Sequence, residues 1–362
     1  MNFFFLALLL VAFSGTKVLP KNEFDLDGAL SVEQTRCING IFVALVLFSH
    51  YKNDYLHPGK FDAIYMAAQG HLGQNIVTMF LFYSGFGMMT QYRKKGMAYI
   101  WSVPKRFATL LLKFVLAVLL FLVLQTCYGK HYSVERVLLS LIGWSGIGNS
   151  NWYVFTMLCI YICFFSGFWL SQRLFKNKSE KPGAALMAFF CFLCLMFQRM
   201  AGRPTYCYNT IIAFVMGVFL CMVKEKCRCC IKNDTEYYIL LSVLAALYTI
   251  ATLKSRNRLL WYETWVVLFA VLTVTISMKL TVYSPLLSFL GSHVFSIYIL
   301  QRIPMIILGR AGFTAAHPYC GLMLVISCTI IVAVLFDWFV GNIFKYAENW
   351  TKEILEKTKA VK

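Results

Sequence analysis

Phe107-Ala-Thr-Leu-Leu-Leu-Lys-Phe-Val-Leu-Ala-Val-Leu-Leu-Phe-Leu-Val-Leu-Gln-Thr-Cys127 is an apolar run long enough to cross a bilayer as a helix, which takes about 20 residues. Two further runs, 152–170 and 323–344, are of similar length. Lipid leaves the backbone of such segments only two solutions, a helix or a closed barrel. The alternating pattern of a barrel is missing, so the expected fold is all-α, a polytopic transmembrane helical bundle. Composition agrees: 59% of the 362 residues are hydrophobic and 14% charged, against about 25% charged in ordinary soluble domains.

Outward from that run, about eleven hydrophobic segments can be read, near 3–19, 37–51, 74–91, 107–127, 152–171, 184–198, 208–223, 237–253, 259–278, 285–308 and 320–344. The last ten form the core and the first is an extra N-terminal segment. A signal peptide is the other reading of residues 3–13, but no basic residue precedes them. A span or an interfacial helix is preferred. Residues 1–35 are thus a hydrophobic segment with its linker, 36–344 the membrane domain, and 345–362 a basic tail.

The formal charge of +18 does not point to nucleic acid, because the basic residues sit between apolar segments. With Arg36 placed in the cytoplasm, about twice as many basic residues fall inside as outside, which predicts a cytoplasmic C-terminus. The thirteen cysteines are scattered through apolar helices, where a thiol acts as a small hydrophobe. Cys227-Arg228-Cys229-Cys230 is too tight for ordinary zinc spacing, so no metal is expected.

The chemistry-bearing stretch is Arg36-Cys-Ile-Asn-Gly-Ile-Phe-Val-Ala-Leu-Val-Leu-Phe-Ser-His50, an apolar helix with a histidine at its outer end. An ionisable group there is a functional candidate, and an interfacial histidine satisfied by water is the plainer alternative. This segment resembles the first core helix of the acyltransferase 3 family, the bacterial membrane O-acyltransferases, in which an apolar helix begins with an arginine and ends in a histidine.

Further landmarks follow in that family's order: Phe80-Leu-Phe-Tyr-Ser-Gly-Phe86, then the basic loop of Arg93, Lys94, Lys95, Lys105 and Arg106. Asn151-Trp-Tyr-Val154 is similar to its Trp-aromatic helix start. Tyr208-Asn-Thr210 with Phe214-Val-Met-Gly217, and Leu287 to Gln301, resemble its later helices. Two positions depart from the pattern. The place eleven residues before His50 holds Asn39, with Arg36 one turn earlier, both within roughly 40° of the His50 face. Gln301 stands where many members carry histidine.

The resemblance implies transfer of an acyl group, expected to be acetyl from acetyl-CoA, to a hydroxyl of an exported or surface carbohydrate, free or carried on lipid. A sugar hydroxyl is a poor nucleophile at neutral pH, and an imidazole with a pKa near 6.5 is suited to take its proton. His50 is the candidate base; an acyl-histidine intermediate is not distinguished from it by sequence. Arg36, about 21 Å below at 1.5 Å per residue, is the candidate donor-side cation.

The five basic loop residues are candidates for the phosphates of coenzyme A, with topology and anionic lipid as the competing reading. Asn39, Tyr83, Ser84, Trp152 and Glu263 are weaker substrate-side candidates. For Ser84 helix packing is the simpler account, and for Tyr83 and Trp152 packing or a membrane-interface belt. Outer Arg199, Arg203, Arg256 and Arg258 could meet an anionic carrier, while His57, His71, His131, His293 and His317 read as loop or interface histidines. A transporter of a small acid or glycan is the rival from another class. A non-catalytic relative is the third reading.

Overall fold

A computed structural model describes residues 1–56, 59–175, 180–228, 231–254 and 258–360, with the side chains of 348 and 350–360 outside the description. His57, Arg256, Cys229 and Cys230 lie outside the described residues. Among the described residues eight helices are long and apolar enough to cross a membrane, and a ninth span is a bent pair, Pro285–Ser292 with Val294–Arg310, turned by 67°. The tenth core segment is the 21-residue helix Asn75–Lys95, less apolar than the others and surrounded by its neighbours. The protein is an all-α integral membrane bundle.

Two of the sequence landmarks owe their glycines to helix packing. A Cβ at Gly85 would fall on the Phe214 carbonyl oxygen, and one at Gly217 on that of Phe82. The helices Asn75–Lys95 and Ile211–Arg228 therefore clasp each other backbone to backbone, the approach that small residues allow in lipid. The same reciprocity joins the His50 helix, Val32–Tyr55, to Pro285–Ser292: Gly40 lies on the Leu287 carbonyl and Gly291 on that of Arg36. The second clasp fixes the His50 helix against Pro285–Ser292.

Several local expectations are revised. The basic loop after residue 91 is a turn at Gly96 (φ +57°), and Lys105 and Arg106 lie on the 31-residue helix Met97–Cys127, which is longer than a bilayer needs. The first segment forms a 13-residue helix, Asn2–Ser14, too short to span alone. It continues into a strand, Thr16–Val18, that pairs antiparallel with Leu280–Val282 in the register Lys17 to Thr281. The following residues are tied down by Lys279, whose Nζ donates to the Pro20 carbonyl at 2.8 Å and meets Asp234 Oδ1 at 2.7 Å.

His293 is not a loop histidine. It sits at the break of the bent pair, with Nδ1 2.6 Å from Asp337 Oδ2, while the Ser296 hydroxyl donates to Asp337 Oδ1 at 2.7 Å and Lys113 Nζ stands 3.7 Å from the same oxygen. Charges at this depth are tolerated because they satisfy one another.

Candidate active site

Val46, Ser49, His50, Asn53 and Asp54 repeat at the spacing that puts side chains on one face of a helix. That face forms a wall of a cavity of about 520 Å³ at the His50 end of the bundle. Opposite it stand Gln74, Ile76 and Val77, the loop 148–152, and Tyr206, Tyr298 and Arg302.

Arg302 organises the centre. Its Nη2 lies 3.0 Å from His50 Nδ1, its Nη1 donates to Asp54 Oδ2 at 3.0 Å, and its Nε donates to Ser150 Oγ at 3.2 Å. Asp54 is one helical turn beyond His50, so a single guanidinium spans both. Arg302 follows the Val294–Leu300 helix directly, where the turn at Gln301 presents it to the cavity.

The loop that supplies Ser150 is fixed by bonds to its own backbone carbonyls. Arg136 donates to Gly146 O at 3.0 Å, Asn151 Nδ2 to Gly143 O at 2.8 Å, and Arg203 to Trp144 O. Arg203 also lies over the Trp144 ring, 4.6 Å from its centroid, a cation–π contact. Gly148 holds φ +105°, a conformation that disfavours any side chain, and a Cβ there would strike Gln125. On the opposite wall Tyr262 donates to Gln74 Oε1 at 2.6 Å, and the Gln74 amide donates to Tyr206 O. Asn149 keeps a buried Nδ2 without a partner, and Trp152 meets Tyr206 edge to face at 6.1 Å. Amide, hydroxyl and aromatic groups thus surround one imidazole.

Of the residues singled out in the sequence, His50 and Trp152 line this cavity. Arg36 lies exposed at the other end of the same unbroken helix, with Asn39 half-buried beside it and its Oδ1 unpaired. Tyr83 is buried away from the cavity, and the Ser84 hydroxyl returns to Phe80 O at 2.7 Å. Glu263 neighbours Tyr262 but does not line the cavity, and both its carboxylate oxygens are buried without a hydrogen-bond partner. Arg93 binds Glu180, with Nε to Oε2 at 2.8 Å, and the Met222 carbonyl at 3.1 Å. Lys94 and Lys95 are exposed beside Gly96, and Lys105 and Arg106 are exposed farther along the next helix, with Arg106 over the Tyr99 ring at 5.2 Å.

Sequence reasoning missed Arg302, Asp54, Ser150, Asn149, Gln74 and Tyr206. Only Asp54 carried a local signal, its four-residue spacing from His50. The others reach the site from distant parts of the chain.

No curated protein and no solved structure matches the chain. The family model described as an acyltransferase domain matches residues 36–338, from the foot of the His50 helix to just past Asp337. That match covers most of the 362 residues and includes every part of the cavity wall, so the chain belongs to the acyltransferase 3 family.

Proposed function

We propose that the protein is a membrane O-acyltransferase that moves an acetyl group from acetyl-CoA, offered at the Arg36 end, to a hydroxyl of an exported or cell-surface carbohydrate at the His50 end. The observation that carries this reading is the position of His50, on the wall of a polar cavity within an acyltransferase domain. Asn53, Gln74, Asn149, Asn151 and Ser150 supply donors and acceptors for sugar hydroxyls, and Trp152 and Tyr206 supply apolar faces for the ring.

His50 takes the proton of the attacking hydroxyl, the new C–O bond forms at the thioester carbonyl, the C–S bond breaks, and the departing thiolate receives the proton. Arg36, Lys94, Lys95, Lys105 and Arg106 hold the donor's phosphates, with Arg93 tying this end of the bundle together through Glu180. The separation of about 21 Å between Arg36 and His50 is spanned by the extended pantetheine arm. The excess of basic residues at the Arg36 end supports a cytoplasmic Arg36 end and C-terminus, in a bacterial inner membrane. An acceptor carried on a membrane lipid would reach the cavity from the bilayer.

Sealed vesicles test the two-sided arrangement. Acetyl-CoA supplied to the Arg36 face alone is expected to acetylate acceptor confined to the other face. Transfer only when donor and acceptor share the His50 face contradicts it.

A further inference from the structure

A guanidinium has five N–H donors and no acceptor. Arg302 Nη2 stands 3.0 Å from His50 Nδ1, so Nδ1 must receive that hydrogen bond with a bare lone pair. The single proton of the neutral ring then resides on Nε2. In this arrangement neither nitrogen is ready to act as a base: Nε2 already carries hydrogen and Nδ1 is covered by a cation.

We infer that Arg302 is a positioning residue that caps the basic nitrogen of His50 until an acceptor hydroxyl is in place, and that Asp54 receives the guanidinium when the cap opens. The geometry supplies the means. Arg302 holds Asp54 through Nη1 and Oδ2 at 3.0 Å, and its Nε rests on Ser150 at 3.2 Å. Rotation of the guanidinium about its Asp54 and Ser150 contacts would turn Nη2 from the imidazole toward the carboxylate and complete the two-pronged pairing that arginine and carboxylates favour. No new partner has to be recruited.

The uncapped Nδ1 then takes the hydroxyl proton. The C–O bond forms as the C–S bond breaks, and the imidazolium returns one proton to the thiolate, which leaves the ring neutral for Arg302 to cap again. The cap protects the thioester: water in the cavity meets no available base until an acceptor displaces the guanidinium. This consequence rests on the acyltransferase reading, whereas the position of the ring proton does not.

The test uses the full chain in lipid nanodiscs with ¹⁵N-labelled histidine, the His50 signals being assigned by their loss in His50→Gln. Wild type is expected to show one neutral tautomer with hydrogen on Nε2. Arg302→Lys, which keeps a cationic donor, is expected to hold that tautomer, and Arg302→Gln to release the ring into a mixture. A wild-type ring protonated on Nδ1, or Arg302→Gln with an unchanged tautomer, overturns the inference. In the same nanodiscs, acetyl-CoA hydrolysis without any acceptor is expected to rise about tenfold or more in Arg302→Gln, the scale set by loss of one charge-assisted hydrogen bond. An unchanged or lower hydrolysis rate removes the protective role. If the protein hydrolyses and transfers nothing, the acyltransferase reading fails, while the spectra still decide whether Arg302 caps the ring.

Discussion

Replacing Arg203 by alanine should loosen one wall of the cavity while leaving the bundle intact. Arg203 contributes a charge-assisted hydrogen bond to the Trp144 carbonyl and a cation–π contact at 4.6 Å from the Trp144 ring. The first is worth about 1.5–3 kcal/mol and the second about 0.5–1 kcal/mol at a partly exposed site, so roughly 2–4 kcal/mol should be lost. Since 1.4 kcal/mol is a factor of ten, local opening should become about 30- to 700-fold more frequent. Hydrogen exchange read by mass spectrometry would show this as lost protection confined to residues 143–151, the segment that carries Asn149 and Ser150 into the cavity. Protection unchanged in that segment, or lost evenly across the spanning helices, would refute the assignment of Arg203 as the anchor of the wall.

Three other substitutions follow from particular contacts. Gly85→Val forces a side chain into the Phe214 backbone, and should cost about 1–3 kcal/mol and lower the unfolding temperature in detergent, while Gly87→Val, where the space is open, serves as control. Asp337→Ala leaves Lys113 and His293 facing each other without their shared carboxylate, and should destabilise the bent pair by about 1–3 kcal/mol, seen as faster proteolysis near residue 293. Asp54→Asn weakens the carboxylate that shares Arg302 with His50 and should slow acyl transfer about tenfold at unchanged expression, a loss that Asp54→Glu should partly restore.

The bundle was legible because membrane solubility is a local property: each apolar run declares its helix whatever it later touches. His50 and Trp152 were legible for a related reason, as polar or aromatic groups at the ends of such runs, sharpened by the family resemblance. The glycines of Phe80–Phe86 and Phe214–Gly217 were visible, but that one motif packs on the other is a statement about helices more than a hundred residues apart. Arg302 stands inside the apolar segment 285–308 and drew no reading of its own, and only the 67° bend and the turn at Gln301 bring it to His50. His293 reads as a loop or interface histidine because its partner, Asp337, stands 44 positions later. Residues 16–18 read as linker because a three-residue strand has no periodicity to detect, and its partner lies beyond residue 279.

Acyl transfer by His50 is tested most directly by comparing ester-linked acetyl on surface polysaccharide from cells making wild-type protein or His50→Ala at equal abundance. Loss of the acetyl ester is expected in the variant, with the protein still folded in the membrane. Equal acetylation in the two strains would contradict it.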